Sequence, residues 1–252
     1  MRIAAVSDIH GNLPALEAVI ADIARRGVDQ VVNLGDSLSG PLWPVETAER
    51  LMALGWPSLA GNHERQLLSL PVSAMGRTDA ATAAVLTPRI TGWLASLPPV
   101  LALPNGLLLC HAAPASDTAY WLHRLWQGGM RAARLDEIAR EATGHALTLC
   151  GHTHLPRSVV LADGRQVANP GSVGLPAYDD DRPAYHVVET GTPQARYLTA
   201  QWCAAAGWRV ELHAIAYDHE VAARRAQEAG RPDWAYALRT GRVGGAEGPA
   251  QG

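Results

Sequence analysis

A chain of 252 residues with 48% apolar and 18% charged residues has the material for a large buried core, which excludes a disordered protein. Its formal charge of -3 and pI near 6.4 give no basic field, so a stable nucleic-acid polymer is not an expected partner. The three cysteines, Cys110, Cys150 and Cys203, are odd in number and two of them close apolar runs, which argues against a disulfide framework and for a reducing compartment.

Met1 leads directly into a short apolar strand, without the basic and long apolar regions of a signal peptide, and no later run reaches membrane-spanning length. A cytoplasmic protein with no membrane partner is therefore expected, and a homo-oligomer is compatible with the sequence. Residues 3–6 read as a buried strand, and residues 14–26 carry Leu16, Val19, Ile20 and Ile23 at helical spacing, with Pro14 in the first turn and Gly27 as a stop. The rhythm repeats: a strand over 28–34, a helix over 44–54 and a third strand over 56–60. Strand and helix in alternation favour a doubly wound sheet, whose ligand sites lie beyond the carboxyl ends of the strands.

Residues 69–97 are Ala-rich and helical in character, with Pro88 opening a segment that contains Ile90, Trp93 and Leu94. Short strands follow at 107–109 and 146–149, and then the pattern changes to strands at 158–161, 166–168, 185–189 and 209–216, which suggests a second, largely antiparallel sheet. Residues 194–207 read as a helical excursion, residues 218–229 as a helix and the stretch to Thr240 as a short restart. One domain over residues 1–240 is expected, with residues 241–252 as a flexible Gly-rich tail.

Five polar islands stand at the ends of the apolar runs: Asp8-Ile9-His10, Gly35-Asp36, Gly61-Asn62-His63-Glu64, Cys110-His111 and Gly151-His152-Thr153-His154. A lone Asp-x-His is common by chance, and a lone Asp after glycine is more often a turn or cap. Together the islands supply carboxylate and amide oxygens with neutral imidazoles, a donor mixture that suits two divalent transition metals acting on a phosphate ester. The remaining histidines, His123, His145, His186, His213 and His219, lack this placement and are assigned to surface or core roles.

This ordered series resembles the signature of the calcineurin-like metallophosphoesterase family, Asp-x-His, Gly-Asp, Gly-Asn-His-Asp/Glu, His and Gly-His-x-His. The match covers about residues 1–173. The flanking Ser7-Asp8-Ile9-His10-Gly11-Asn12 and Asn169-Pro170-Gly171-Ser172-Val173-Gly174 resemble its compact bacterial and archaeal phosphodiesterase branch. The resemblance implies an α/β fold, a four-layer α/β/β/α sandwich with two mixed β-sheets and the metals at the mouth between them. It implies one metal on Asp8, His10, bridging Asp36 and His154, and a second on Asp36, Asn62, His111 and His152. His63 is then the non-ligand histidine beside the phosphate, which stabilises the transition state or protonates the leaving group. Glu64, where many relatives have Asp, is given little functional weight.

The expected activity is hydrolysis of small phosphodiesters by metal-bound hydroxide, with Mn favoured and Fe, Zn, Co or Ni also suitable. A phosphomonoesterase on the same site and a non-catalytic binding or scaffold protein of the same fold are the alternatives. Intact ligands weigh against the latter. Leu42-Trp43 and the segment 115–129, with Tyr120, Trp121, Arg124 and Trp126, are candidates for the pocket rim or for packing under a covering element. Arg124, Arg131, Arg134 or Arg157 would strengthen a monoesterase if the fold brought them into the mouth.

Overall fold

The computed structural model describes residues 1–244. The first apolar run forms β1 (Arg2–Val6), and Asn12 caps α1 (Leu13–Arg26) by accepting from the Ala15 N–H at 3.2 Å. Gly27, in the left-handed region at φ 62°, ends that helix where its spacing predicts. β2 (Gln30–Asn33), α2 (Pro44–Leu54) and α3 (Asn62–Ser69) follow. The strand expected over 56–60 is reduced to one parallel bridge between Ser58 and Asn33. Pro57 has no N–H for a ladder, and the chain turns at Gly61 into α3.

The Ala-rich stretch holds α4 (Arg77–Ala83) and α5 (Pro88–Ala95). Beyond it come β3 (Val100–Leu103), β4 (Leu107–Cys110), β5 (His123–Trp126), β6 (Gly129–Ala132), α6 (Leu135–Ala139) and β7 (Leu147–Leu149). Then follow β8 (Arg157–Val160), β9 (Gln166–Asn169), β10 (Ala177–Asp180), β11 (His186–Glu189), β12 (Ala195–Cys203) and β13 (Gly207–Ile215), and the chain closes with α7 (His219–Glu228) and α8 (Pro232–Thr240). The helical excursion expected over 194–207 is instead β12, paired with β1 on one side and β13 on the other. The ladder to β13 joins nine residue pairs, and this long-range pairing overrides the ambiguous local spacing.

Two sheets form the middle of the sandwich. One has the order β13-β12-β1-β2 and the other β3-β4-β7-β9-β8, each with parallel and antiparallel neighbours. Alternation along β1 explains the layering: Ile3 and Ala5 face the core between the sheets with Leu109, Leu149 and Leu198, whereas Ala4 and Val6 face Leu16, Val19 and Ile23 of α1. The outer face of the second sheet packs Cys110, Cys150 and Val167 against Trp121, Leu122 and Ile138, so its outer layer is the short α6 with the β5–β6 ribbon and its flanks. Helices α7 and α8 pack together on the side that carries Leu42 and β10. Gly241 ties back to Gly191 by a backbone bond of 2.9 Å, and the rest of the expected tail, residues 245–252, lies outside the described residues. Among the described residues no helix is long and apolar enough to cross a membrane.

Candidate metal centre

Parallel pairing fixes where the islands meet. β1 lies parallel to β2 in one sheet and β4 parallel to β7 in the other, so the loops after them, bearing Asp8 and His10, Asp36, His111, and His152 with His154, converge at one end of the sandwich. They are stitched by backbone bonds: Asp8 N–H to Gly35 O and His10 N–H to Asp36 O at 3.0 Å, and Gly151 N–H to His111 O at 2.6 Å. The motif glycines permit this contact. A Cβ at Gly61 would stand 2.8 Å from the Asp36 nitrogen, and one at Gly151 would stand 2.8 Å from Asp8 Oδ2.

Among the described residues, five of the seven non-glycine residues with positive φ are Asp8, His10, Asp36, His152 and His154, at 51° to 66°. Such backbone costs on the order of 1–3 kcal/mol per residue, so the surrounding bonds must hold it. The Asn169-Pro170-Gly171-Ser172-Val173-Gly174 segment supplies several of them. Ser172 Oγ donates to Asp8 O at 2.7 Å and Gly174 N–H to the same oxygen at 3.0 Å, while Asn169 Nδ2 donates to Gly151 O at 2.5 Å. Glu64, expected to carry little functional weight, is fully buried and accepts from the N–H groups of Asp36, Ser37 and Gly61, each at 2.8 Å.

Two donor groups result, Asp8 with His10 and His154, and Asp36 with His111 and His152. Each draws on both sheets. In the first, His10 Nδ1 donates to Ser39 O and His154 Nδ1 to Leu175 O, both at 2.7 Å, so the two rings turn their Nε2 atoms toward each other at 3.2 Å. A cation held by both Nε2 atoms would take the place of any proton between them. Asp8 Oδ1 is buried 3.3 Å from His154 Nε2 and, among the described residues, has no hydrogen-bond donor. In the second group His111 Nδ1 donates to Leu34 O at 2.9 Å, and its Nε2 faces Asp36 Oδ2 at 3.0 Å and Asn62 Oδ1 at 3.1 Å. His152 donates Nε2–H to Thr118 O at 3.1 Å, leaving Nδ1 as its free lone pair. The donor set fits divalent cations.

Protonation follows the same geometry. Burial, with His154 and His63 nearby, pushes His10 down to about 4, and burial with His111 pushes His152 down to about 3, keeping both rings in the neutral form that binds metal. His111 moves the other way, to about 10, because Asp36 outweighs the cost of burial; a cation entering there displaces a proton. His63 rises to about 9 as Asp36 and Asp79 outweigh burial.

A cavity of about 880 Å³ opens onto His10, Asp36, Asn62, His63, His152 and His154. His63 stands beside the donor groups, its Nδ1 2.7 Å from Asp79 Oδ1, and Ser39 Oγ donates to the same buried carboxylate. Asp79 sits in the Ala-rich stretch with no motif around it, and only the packing of α4 reveals it. Two further residues surround the ligands: Tyr120 stacks on His152 at 5.1 Å, and Tyr178 packs edge-on against His154 at 4.7 Å. His186 joins them through a 2.6 Å bond to Tyr120 Oη. Of the rim candidates in Leu42-Trp43 and 115–129, Tyr120 reaches His152, whereas Leu42 and Trp121 are buried in separate clusters and Trp126 is exposed on the ribbon. Arg124, Arg131 and Arg134 pair with Glu141, Glu137 and Asp136, and Arg157 donates to Leu122 O and Ala133 O, away from the mouth. The arginines that line the cavity are Arg77, Arg182 and Arg231.

Residues 1–192 match the family model described as the calcineurin-like phosphoesterase superfamily domain. An uncharacterized protein of Methanocaldococcus jannaschii is 24% identical over 254 residues, covering 92% of this chain and 94% of that one. The crystal structure of a metallophosphoesterase from Sphaerobacter thermophilus superposes with a TM-score of 0.72 at 25% identity, covering 94% of this chain and 98% of that one. A hypothetical protein from Pyrococcus horikoshii gives a TM-score of 0.73 at 18% identity, with 96% and 99% covered, and so shares the fold. The motifs in order, the two-sheet sandwich and the match across most of its length agree: the chain belongs to the calcineurin-like phosphoesterase superfamily.

Proposed function

We propose that this protein is a dinuclear metal-dependent phosphoesterase acting on small phosphodiesters. The observation that carries this reading is the pair of donor groups built from both sheets, with the Nε2 atoms of His10 and His154 facing each other at 3.2 Å. Asp8, His10 and His154 would hold one cation and Asn62, His111 and His152 the other, with the Asp36 carboxylate available to both. When bound, two such cations, Mn in this reading, supply Lewis acidity that polarises the phosphoryl oxygens and lowers the pKa of water.

The chain's own groups supply the rest. Asp79 holds His63 through Nδ1, which leaves Nε2–H free to protonate the leaving oxygen as its bond to phosphorus breaks and an oxygen from water forms the new one. Six carboxylates line the cavity, Asp36, Asp79, Asp179, Asp180, Asp181 and Asp233, against three guanidinium groups. That balance disfavours the extra charge of a monoester and supports a diester.

The test is metal analysis of the gently purified protein, combined with kcat/KM for bis(p-nitrophenyl) phosphate and p-nitrophenyl phosphate after Mn is returned. Two ions per chain and a higher value for the diester are expected. Saturation at one ion would sink the dinuclear assignment, and preference for the monoester would reverse the substrate class. Absence of hydrolysis of either ester would overturn the enzymatic reading.

A further inference from the structure

Beside the cavity of the metal centre lies a second cleft of about 440 Å³, and Arg77 and Arg231 border both. The charge balance reverses there. Arg77, Arg225 and Arg231 face a single carboxylate, Glu46, beside apolar walls that include Pro41, Leu42 and Val85. Arg231 is largely committed: it pairs with Asp233 at 2.6 Å and donates Nη1–H to Thr78 Oγ1 at 3.0 Å. The other two are not. Arg77 donates from Nη2 to Gly230 O at 2.8 Å, and Arg225 from Nε to Leu42 O at 3.2 Å. Among the described residues neither forms an ion pair with a carboxylate, so each keeps charge and donors for a ligand.

We propose that this cleft is a subsite for a second phosphoryl group of the substrate, held by Arg77 and Arg225, with an apolar end of the substrate resting on Pro41 and Val85. It rests on the phosphoesterase reading and narrows it to organic phosphates that carry at least two phosphoryl groups. A guanidinium fork matches phosphoryl oxygens in charge and in geometry, and the cleft falls within the roughly 300–1,000 Å³ of ligand pockets. The division of charge suits such a molecule: the reacting phosphate lies among cations that offset the aspartates, and the further anion lies where arginines are in excess. Arg77 begins α4, the helix that carries Asp79, so the subsite and the His63 partner share one rigid element.

The full-length protein with Mn is assayed on bis(p-nitrophenyl) phosphate, with ADP and AMP as competing ligands. ADP is expected to inhibit about tenfold more tightly than AMP, and Arg77→Ala or Arg225→Ala is expected to erase that difference. Calorimetric titration with ADP reads the subsite without turnover; the Arg77→Ala/Arg225→Ala double variant should bind about tenfold more weakly than the parent. Arg77→Gln, which can keep a donor to Gly230 O while removing the charge, replaces Arg77→Ala if melting curves show that the alanine variant does not fold. Equal inhibition by ADP and AMP in the parent, or unchanged ADP binding in the double variant, overturns the subsite. Failure to hydrolyse the diester counts against the phosphoesterase reading alone, because calorimetry still decides the subsite.

Discussion

At the residue scale, roles divide by what each atom faces. His63 stands outside both donor groups and is kept protonated near neutral pH by Asp36 and Asp79, so His63→Ala should lower kcat by about 10²–10⁴ while metal content stays near that of the parent. Equal loss of metal and turnover would return His63 to the ligand set. Asp79→Asn keeps the shape but removes the charge that supports a protonated His63, and a fall in kcat of about 10–100-fold with metal retained is expected. Glu64 makes a different kind of case. Its carboxylate accepts three backbone N–H groups in a fully buried place, so Glu64→Gln turns an amide donor on at least one of them and should destabilise the fold by about 1–3 kcal/mol, read as a lower urea midpoint. His63 and the ligands are legible in the sequence because they recur after apolar runs. Asp79 is not, since a carboxylate on a short helix carries no local sign of the histidine it will meet.

At the element scale, α1 is fastened to the first sheet by Asp22, whose carboxylate accepts from Tyr197 Oη on β12 at 2.5 Å and pairs with Arg25 and Arg26 at 2.8 and 2.7 Å. Burial opposes ionisation, but Tyr197, Arg26 and Arg25 together bring the carboxyl down to about 2. A lowered carboxyl pKa stabilises the fold above the unfolded value near 3.8 and loses that contribution as pH falls through about 2. Urea midpoints measured between those limits should therefore decline in the parent more steeply than in Asp22→Asn, which starts lower by about 1–3 kcal/mol at neutral pH. Parallel slopes would remove Asp22 from the account. The elements themselves were readable where period and punctuation agree, as in α1 with Asn12, Pro14 and Gly27. They were not readable at β12, where a mixed sequence becomes a strand because β1 and β13 pair with it, nor at 56–60, where Pro57 limits pairing to one bridge.

For the whole molecule, the donor groups join two sheets that are otherwise held by the apolar core between them, so cations bound there bind the folded chain and not the unfolded one. Chelation should abolish hydrolysis, and Mn returned at about 100 times its dissociation constant should raise the melting temperature by roughly 5–10 °C for each site filled. An unchanged melting temperature, read by calorimetry, would mean that the groups do not hold metal across the sheets. The sequence by itself determined the candidate ligand types, their order and their places at strand ends, because strand periodicity and glycine punctuation are local properties of the chain. It also determined the resemblance and, through it, the sandwich. Only the tertiary structure decided that Asp79 serves His63, that Tyr120 and Tyr178 brace the ligand rings, and that arginines far apart in sequence border two adjoining cavities. Those pairings join residues 16 or more positions apart, and their energies depend on burial and distance, which no local pattern encodes.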